Sequence, residues 1–160
     1  MINFPPTTDI PLWLKYGQAI ALIALPMVGA WIAWEQMQIA RAKLKNDLYD
    51  RRFKVYDATM ELLSHALTHG RVSDEALHKF ALQTAESTFL FEEEVILFLK
   101  EIRTNASNVW VFGGTLQQGG LSAADRANYA KMVGNALGTL NAKIDQIQSV
   151  FRPYLGLYKK

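Results

Sequence analysis

Residues 16–34 read Tyr-Gly-Gln-Ala-Ile-Ala-Leu-Ile-Ala-Leu-Pro-Met-Val-Gly-Ala-Trp-Ile-Ala-Trp, nineteen residues without a charge. As a helix rising about 1.5 Å per residue, the stretch covers roughly 28 Å, close to the ~30 Å hydrocarbon core of a bilayer. Trp13 and Tyr16 stand at one end, Trp31 and Trp34 at the other. Amphipathic rings at that separation are what anchoring at two headgroup levels requires. Pro26 falls in mid-span, where it removes one backbone hydrogen bond, a loss that membrane helices tolerate. The stretch is therefore expected to be a transmembrane helix. A cleaved signal peptide with Val28-Gly29-Ala30 at the cut is the first competing reading. It suits the sequence less well, because Lys15 is the lone basic residue ahead of the apolar run. A buried core helix is the second.

Basic residues near the span set its orientation. Lys15 stands alone on the N-terminal side, whereas Arg41, Lys43, Lys45, Arg51, Arg52 and Lys54 follow on the C-terminal side. Cations close to a span are retained on the cytoplasmic face, each worth about 1 kcal/mol against an anionic leaflet. The expected organisation is a short extracytoplasmic tail (1–15), the span (16–34) and a cytoplasmic helical bundle (35–160). The bundle is thus expected on the cytoplasmic side of a membrane.

The remainder of the 160-residue chain limits the function classes. Half the residues are apolar and the net charge is +2, which excludes a disordered chain and the concentrated basic charge of a nucleic-acid binder. There is no cysteine, so disulfides, thiolate catalysis and cysteine metal sites are excluded.

The bundle is expected to be all-α, with about four helices. No Gly or Pro interrupts the chain between Trp31 and His69, so the span should run on into a long first helix. Tyr49, Phe53, Tyr56, Met60, Leu63 and Leu67 recur at spacings of four and three, one stripe of an amphipathic helix. Leu44, Leu48, Val55 and Leu62 widen the stripe. Gly70 suits a helix C-terminus, and Ser73 with Asp74 and Glu75 a new N-terminus. Leu77, Phe80 and Ala81 then form the buried side of a short second helix. A third opens at Glu92-Glu93-Glu94, with Val95, Phe98, Ile102, Val109 and Phe112 inward, and is expected to stop at Gly113-Gly114. Residues 113–121 read as a flexible loop. Ser122 and Asp125 form a capping box for the last helix, in which Val133, Leu137, Leu140, Ile144, Ile147 and Phe151 make the seam until Pro153 closes it.

Three stretches carry a resemblance: Leu48-Tyr49-Asp50-Arg51-Arg52-Phe53-Lys54-Val55-Tyr56, Phe89-Leu90-Phe91-Glu92-Glu93-Glu94-Val95 and Phe151-Arg152-Pro153-Tyr154-Leu155. They are similar to a widespread family of small, uncharacterised bacterial membrane-anchored helical proteins. The resemblance implies a bacterial, membrane-anchored helical protein and no chemistry.

Candidate chemistry is sparse. Arg52 shares a helix face with Leu48, Val55, Thr59 and Leu62, so its guanidinium is expected at the edge of the core. There it pairs with Glu86, Glu94 or Glu101, or grips an anionic partner or lipid phosphate. His65 and His69 are four apart, a metal-compatible spacing, but Ala66 stands where a zinc-protease helix has its glutamate. Favourable histidines near a helix C-terminus are the simpler account. The double-glycine loop lacks the Lys-Ser/Thr of a phosphate cradle. Gly134 and Gly138, four apart, suggest a close helix contact inside the bundle or between copies. No nucleophile, metal or cofactor motif is found, so an enzyme is not expected.

The expected role is a membrane-tethered helical interaction or scaffold module with a protein partner. Candidate partner or lipid contacts are Arg51, Arg52, Trp110, Tyr154, Tyr158, Lys159 and Lys160; Trp110 and Tyr158, with Tyr129, lie off the main stripes. The alternative is a membrane-active effector or accessory subunit that self-associates through Gly17/Ala21 and Gly29/Ala33 on the span.

Overall fold

The computed structural model describes the backbone of residues 12–156 and the side chains of 26–156. Its elements are α1 (Leu12–His69), α2 (Asp74–Gln83), α3 (Ser87–Leu90), α4 (Glu93–Gln117) and α5 (Ala123–Leu155), with no strand among the described residues. The all-α expectation holds. The chain divides into two compact units, Met1–Lys45 and Asn46–Lys160.

In the first unit, every described side chain from residue 26 to residue 45 is exposed. No helix among the described residues is long and apolar enough to cross a membrane. The side chains of 16–25, the first ten positions of the expected span, lie outside the described residues.

The second unit is a bundle whose helix directions follow from its contacts. Lys79 of α2 pairs with Glu61 of α1, and Glu86, just beyond α2, with Arg51. Position numbers thus rise on one helix as they fall on the other, so α1 and α2 are antiparallel. Tyr56 and Arg52 of α1 meet Phe151 and Tyr154 of α5 in the same reversed order. Along α4, Phe98, Glu101 and Phe112 meet Phe151, Lys143 and Tyr129. Antiparallel neighbours with short connections are the normal way for amphipathic helices to close one core. That core holds Leu63, Ile102, Leu140, Ile147 and Phe151, all fully buried.

Several helix limits fall where local chemistry places them. Gly70 takes φ +61°, a backbone state that favours glycine, and α1 ends there. Ser73 Oγ accepts from the Ala76 amide at 3.2 Å. Ser122 Oγ accepts from the Asp125 amide at 3.1 Å and donates to its carboxylate at 2.6 Å.

Other expectations are corrected. Gly113-Gly114 does not stop the third long helix: α4 continues to Gln117, leaving a loop shorter than 113–121. Two glycines in a helix interior cost about 1 kcal/mol each against alanine. Burial of Val109 and the stacking of Phe112 on Tyr129 at 5.9 Å hold the last turns, and tertiary packing outweighs propensity. Pro153 lies inside α5, which ends at Leu155. A proline there forfeits the bond to the Ser149 carbonyl, but the following turn still closes through the Gly156 amide to the Arg152 carbonyl at 3.1 Å. On α1 the inward face is centred on Val55, Thr59, Leu62 and Ala66, while Phe53 of the expected stripe is exposed. Thr59 is accommodated because its hydroxyl donates to the Val55 carbonyl at 2.7 Å. Gly134 and Gly138 are exposed, and a Cβ at either meets nothing, so they make no close contact inside the bundle. The four-residue α3, which the periodicity did not signal, turns the chain between α2 and α4.

Candidate functional site

Residues 48–56, 89–95 and 151–155, far apart in the chain, meet at one end of the bundle. Leu90 is the last residue of α3, and Phe91 leaves the helix in an extended conformation (φ −134°, ψ 161°). Helix-terminal carbonyls need a partner from outside the helix. Arg52 supplies it, donating from Nε to the Leu90 carbonyl at 3.1 Å. Its guanidinium also sits 5.7 Å from the centroid of the Tyr154 ring, a cation–π distance.

Aromatic rings complete the cluster. Phe91 packs edge-on against Phe151 at 5.4 Å and Tyr154 at 5.3 Å, and Tyr56 meets Phe151 at 5.6 Å. Edge-to-face pairs of this kind add about 0.5–1.5 kcal/mol beyond the apolar area they bury. Glu92 is the N-cap residue of α4 but makes no side-chain cap. Its charge instead lies close enough to the Tyr154 phenol to act on it. Burial, then the neighbouring Glu92 charge, raises the Tyr154 phenol above its ordinary value of 10.0.

The structure separates the expected residues into groups. Arg52 and Tyr154 belong to this cluster. Arg51, next to it in the chain, is exposed and pairs with Asp47 at 3.2 Å and with Glu86 at 3.5 Å. The expected carboxylate partner of Arg52 is therefore corrected: Arg51 takes Glu86, and Glu101 pairs with Lys143 at 2.6 Å. An arginine fork reaches a carbonyl as readily as a carboxylate, and the chain reversal after Leu90 brings one within range. Trp110 is elsewhere, 18 positions along α4 from Glu92, which is about 27 Å at the helical rise. Tyr129 is half-buried against Phe112, not a free contact residue. Tyr158, Lys159 and Lys160 lie outside the described residues.

Sequence reasoning missed two polar features. Lys143, on the margin of the α5 seam, keeps 14% of its side chain exposed, with its ammonium 5.1 Å from the Phe98 ring centroid. His65 Nδ1 and Gln83 Oε1 are buried without a hydrogen-bond partner, and both residues line a cavity of about 50 Å³ between α1 and α2. That volume has room for a bridging water. A polar position beside an apolar seam was the signal for Lys143; nothing local marked Gln83.

No catalytic constellation assembles around these residues. The Arg52 cluster contains an anchored cation and a tyrosine–carboxylate pair, with no nucleophile beside a base. Among the described residues no three metal-ligating side chains come together. His65 and His69 stack at 4.6 Å, and the carbonyl of His65 accepts from His69 Nδ1 at 3.0 Å. Compared with protein-family models, with known proteins and with solved structures, the chain matches none.

Proposed function

We propose that this chain is a membrane-tethered helical interaction module. Residues 16–34 cross a bacterial inner membrane with the N-terminus outside, and the bundle stands on the cytoplasmic side to receive a protein partner. The observation that carries the reading is the apolar character of α1 ahead of the bundle. Met27, Val28, Trp31, Ile32, Trp34, Met37 and Ile39 are all exposed, Met27 at 69% and Trp31 at 67%. Water-soluble surfaces rarely leave so many large apolar side chains uncovered in one run. The belt tryptophans, the basic residues that follow, and the resemblance to membrane-anchored bacterial proteins support the same topology.

For the partner, the bundle offers apolar side chains on α2, α3 and the start of α4. Leu82 and Leu97 are exposed, and Phe89 is 89% exposed. Large apolar side chains left uncovered on a folded domain are the usual material of a protein contact. Arg51, beside Glu86 on the neighbouring surface, adds charge that sets register.

Fractionation of cells expressing the full chain tests the tether. Retention in the membrane pellet after alkaline carbonate extraction, with a C-terminal tag open to protease solely in inverted vesicles, is expected. Full-length product in the high-speed supernatant overturns it. The second reading, self-association through the span, draws on Gly29 and Ala33. Both are exposed, and a Cβ at Gly29 meets no atom within 4 Å. Small residues four apart let two membrane helices approach closely. Crosslinked dimers lost on Gly29→Leu are the expected sign of it.

A further inference from the structure

Far from the Arg52 cluster, His65, Arg71, Ser73, Trp110, Gly113 and Gly114 line a cleft of about 370 Å³ where α1, the start of α2 and the last turns of α4 come together. The volume falls in the range of small-molecule sites, about 300–1,000 Å³. Two features make this cleft more than a surface hollow.

The first is its glycine wall. Gly113 and Gly114 sit inside α4, where glycine weakens a helix. A Cβ added to either meets no atom within 4 Å, and neither has a positive φ. Nothing among the described residues therefore calls for glycine at these two positions. A methyl group there would project into open space beside the cleft. The two glycines thus leave this side of the cleft bare of side chains.

The second is the chemistry of the lining. Trp110 is 43% exposed and presents a flat ring and an indole N–H donor. Arg71 is exposed and makes no ion pair or side-chain hydrogen bond among the described residues. No carboxylate lines the cleft; Asp74 and Glu75 follow Ser73 in the first turn of α2 but are not part of the wall. A lone unpaired guanidinium selects an anionic group with two oxygens to accept its paired N–H donors, a carboxylate or a phosphate.

We infer that this cleft binds a small aromatic anion, its carboxylate or phosphate held by Arg71 and its ring laid on Trp110 against the Gly113-Gly114 wall. The inference does not rest on the membrane reading, because the cleft belongs to the bundle alone.

The test uses the full chain in detergent micelles, ¹⁵N-labelled, with the Trp110 indole N–H signal assigned by Trp110→Phe. Phenyl phosphate is the probe; inorganic phosphate carries its charge alone and phenol its ring alone. Saturable movement of the Trp110 signal by phenyl phosphate is expected, with each half-molecule at least about tenfold weaker. Arg71→Gln should weaken phenyl phosphate about tenfold while leaving phenol unchanged. Gly114→Ala separates site from scaffold: it should raise the melting temperature through better helix propensity while weakening the phenyl phosphate response. No movement at millimolar phenyl phosphate, or undiminished binding by Gly114→Ala, overturns the inference.

Discussion

Two stretches of one helix treat their apolar residues in opposite ways. Between Met27 and Leu44 of α1, large apolar side chains occur all round the helix and all are exposed. Between Val55 and Ala66, apolar residues gather on one side and that side is fully buried. A helix that is apolar all round asks to be surrounded, whereas an amphipathic helix asks for one packed face. The second stretch finds its face in α2, α4 and α5. The first finds no such face among the described residues.

The largest effect expected from this contrast is at Phe151, which is fully buried among Tyr56, Phe91 and Phe98. Phe151→Ala should cost about 3–5 kcal/mol of bundle stability, read by urea unfolding in detergent. Trp31→Ala, in the exposed stretch, should leave that stability within about 0.5 kcal/mol. Equal losses at the two positions would erase the contrast.

A smaller effect is expected at Arg52. Arg52→Met keeps much of the side-chain volume but leaves the Leu90 carbonyl unpaired, a loss of about 1–3 kcal/mol. If Arg52 serves an external anion instead, the same change leaves unfolding unaltered. Lys143 sharpens the picture further. Its ion pair with Glu101 has one half-exposed member, so Lys143→Met should change stability by less than about 1 kcal/mol. The difference from the native chain should shrink as salt is raised.

The smallest effect is confined to alkaline solution. Because the phenol of Tyr154 titrates above 10.0 in the folded chain, the folded state holds its proton longer than the unfolded state does. Its contribution is fully present below pH 10 and is lost as pH rises through the folded value. Tyr154→Phe should therefore flatten the decline in stability above pH 10. Parallel curves for the two proteins would mean that neither burial nor the Glu92 charge holds the proton on Tyr154.

The helices of the bundle were legible because their causes are local. Ser73, Ser122 with Asp125, and Gly70 mark helix limits through bonds and backbone states that reach no further than three residues. The seam of α5 from Val133 to Phe151 followed from a spacing of four and three. Errors arose where a distant partner decided the outcome. The stacking of Phe112 on Tyr129 carries α4 past two glycines, and the inward face of α1 shifted toward Val55 and Thr59 because of where α4 and α5 lie. The candidate site was half legible. Arg52 was marked by residue type and by position at the edge of a stripe and Tyr154 by its place in the aromatic and basic C-terminal stretch, but their meeting was not, since 102 positions separate them in the chain.

The sequence by itself determined that this protein is helical and where most of its helices begin. Those properties depend on spacing, capping and hydrophobicity over one or two turns. Tertiary structure alone decided which carbonyl Arg52 holds, that Arg51 and not Arg52 takes Glu86, and that Trp110 and Arg71 border one cleft with two glycines. Such pairings depend on how helices far apart in the chain are laid against each other. No local pattern encodes that arrangement, because its energy resides in contacts that exist once the core has closed.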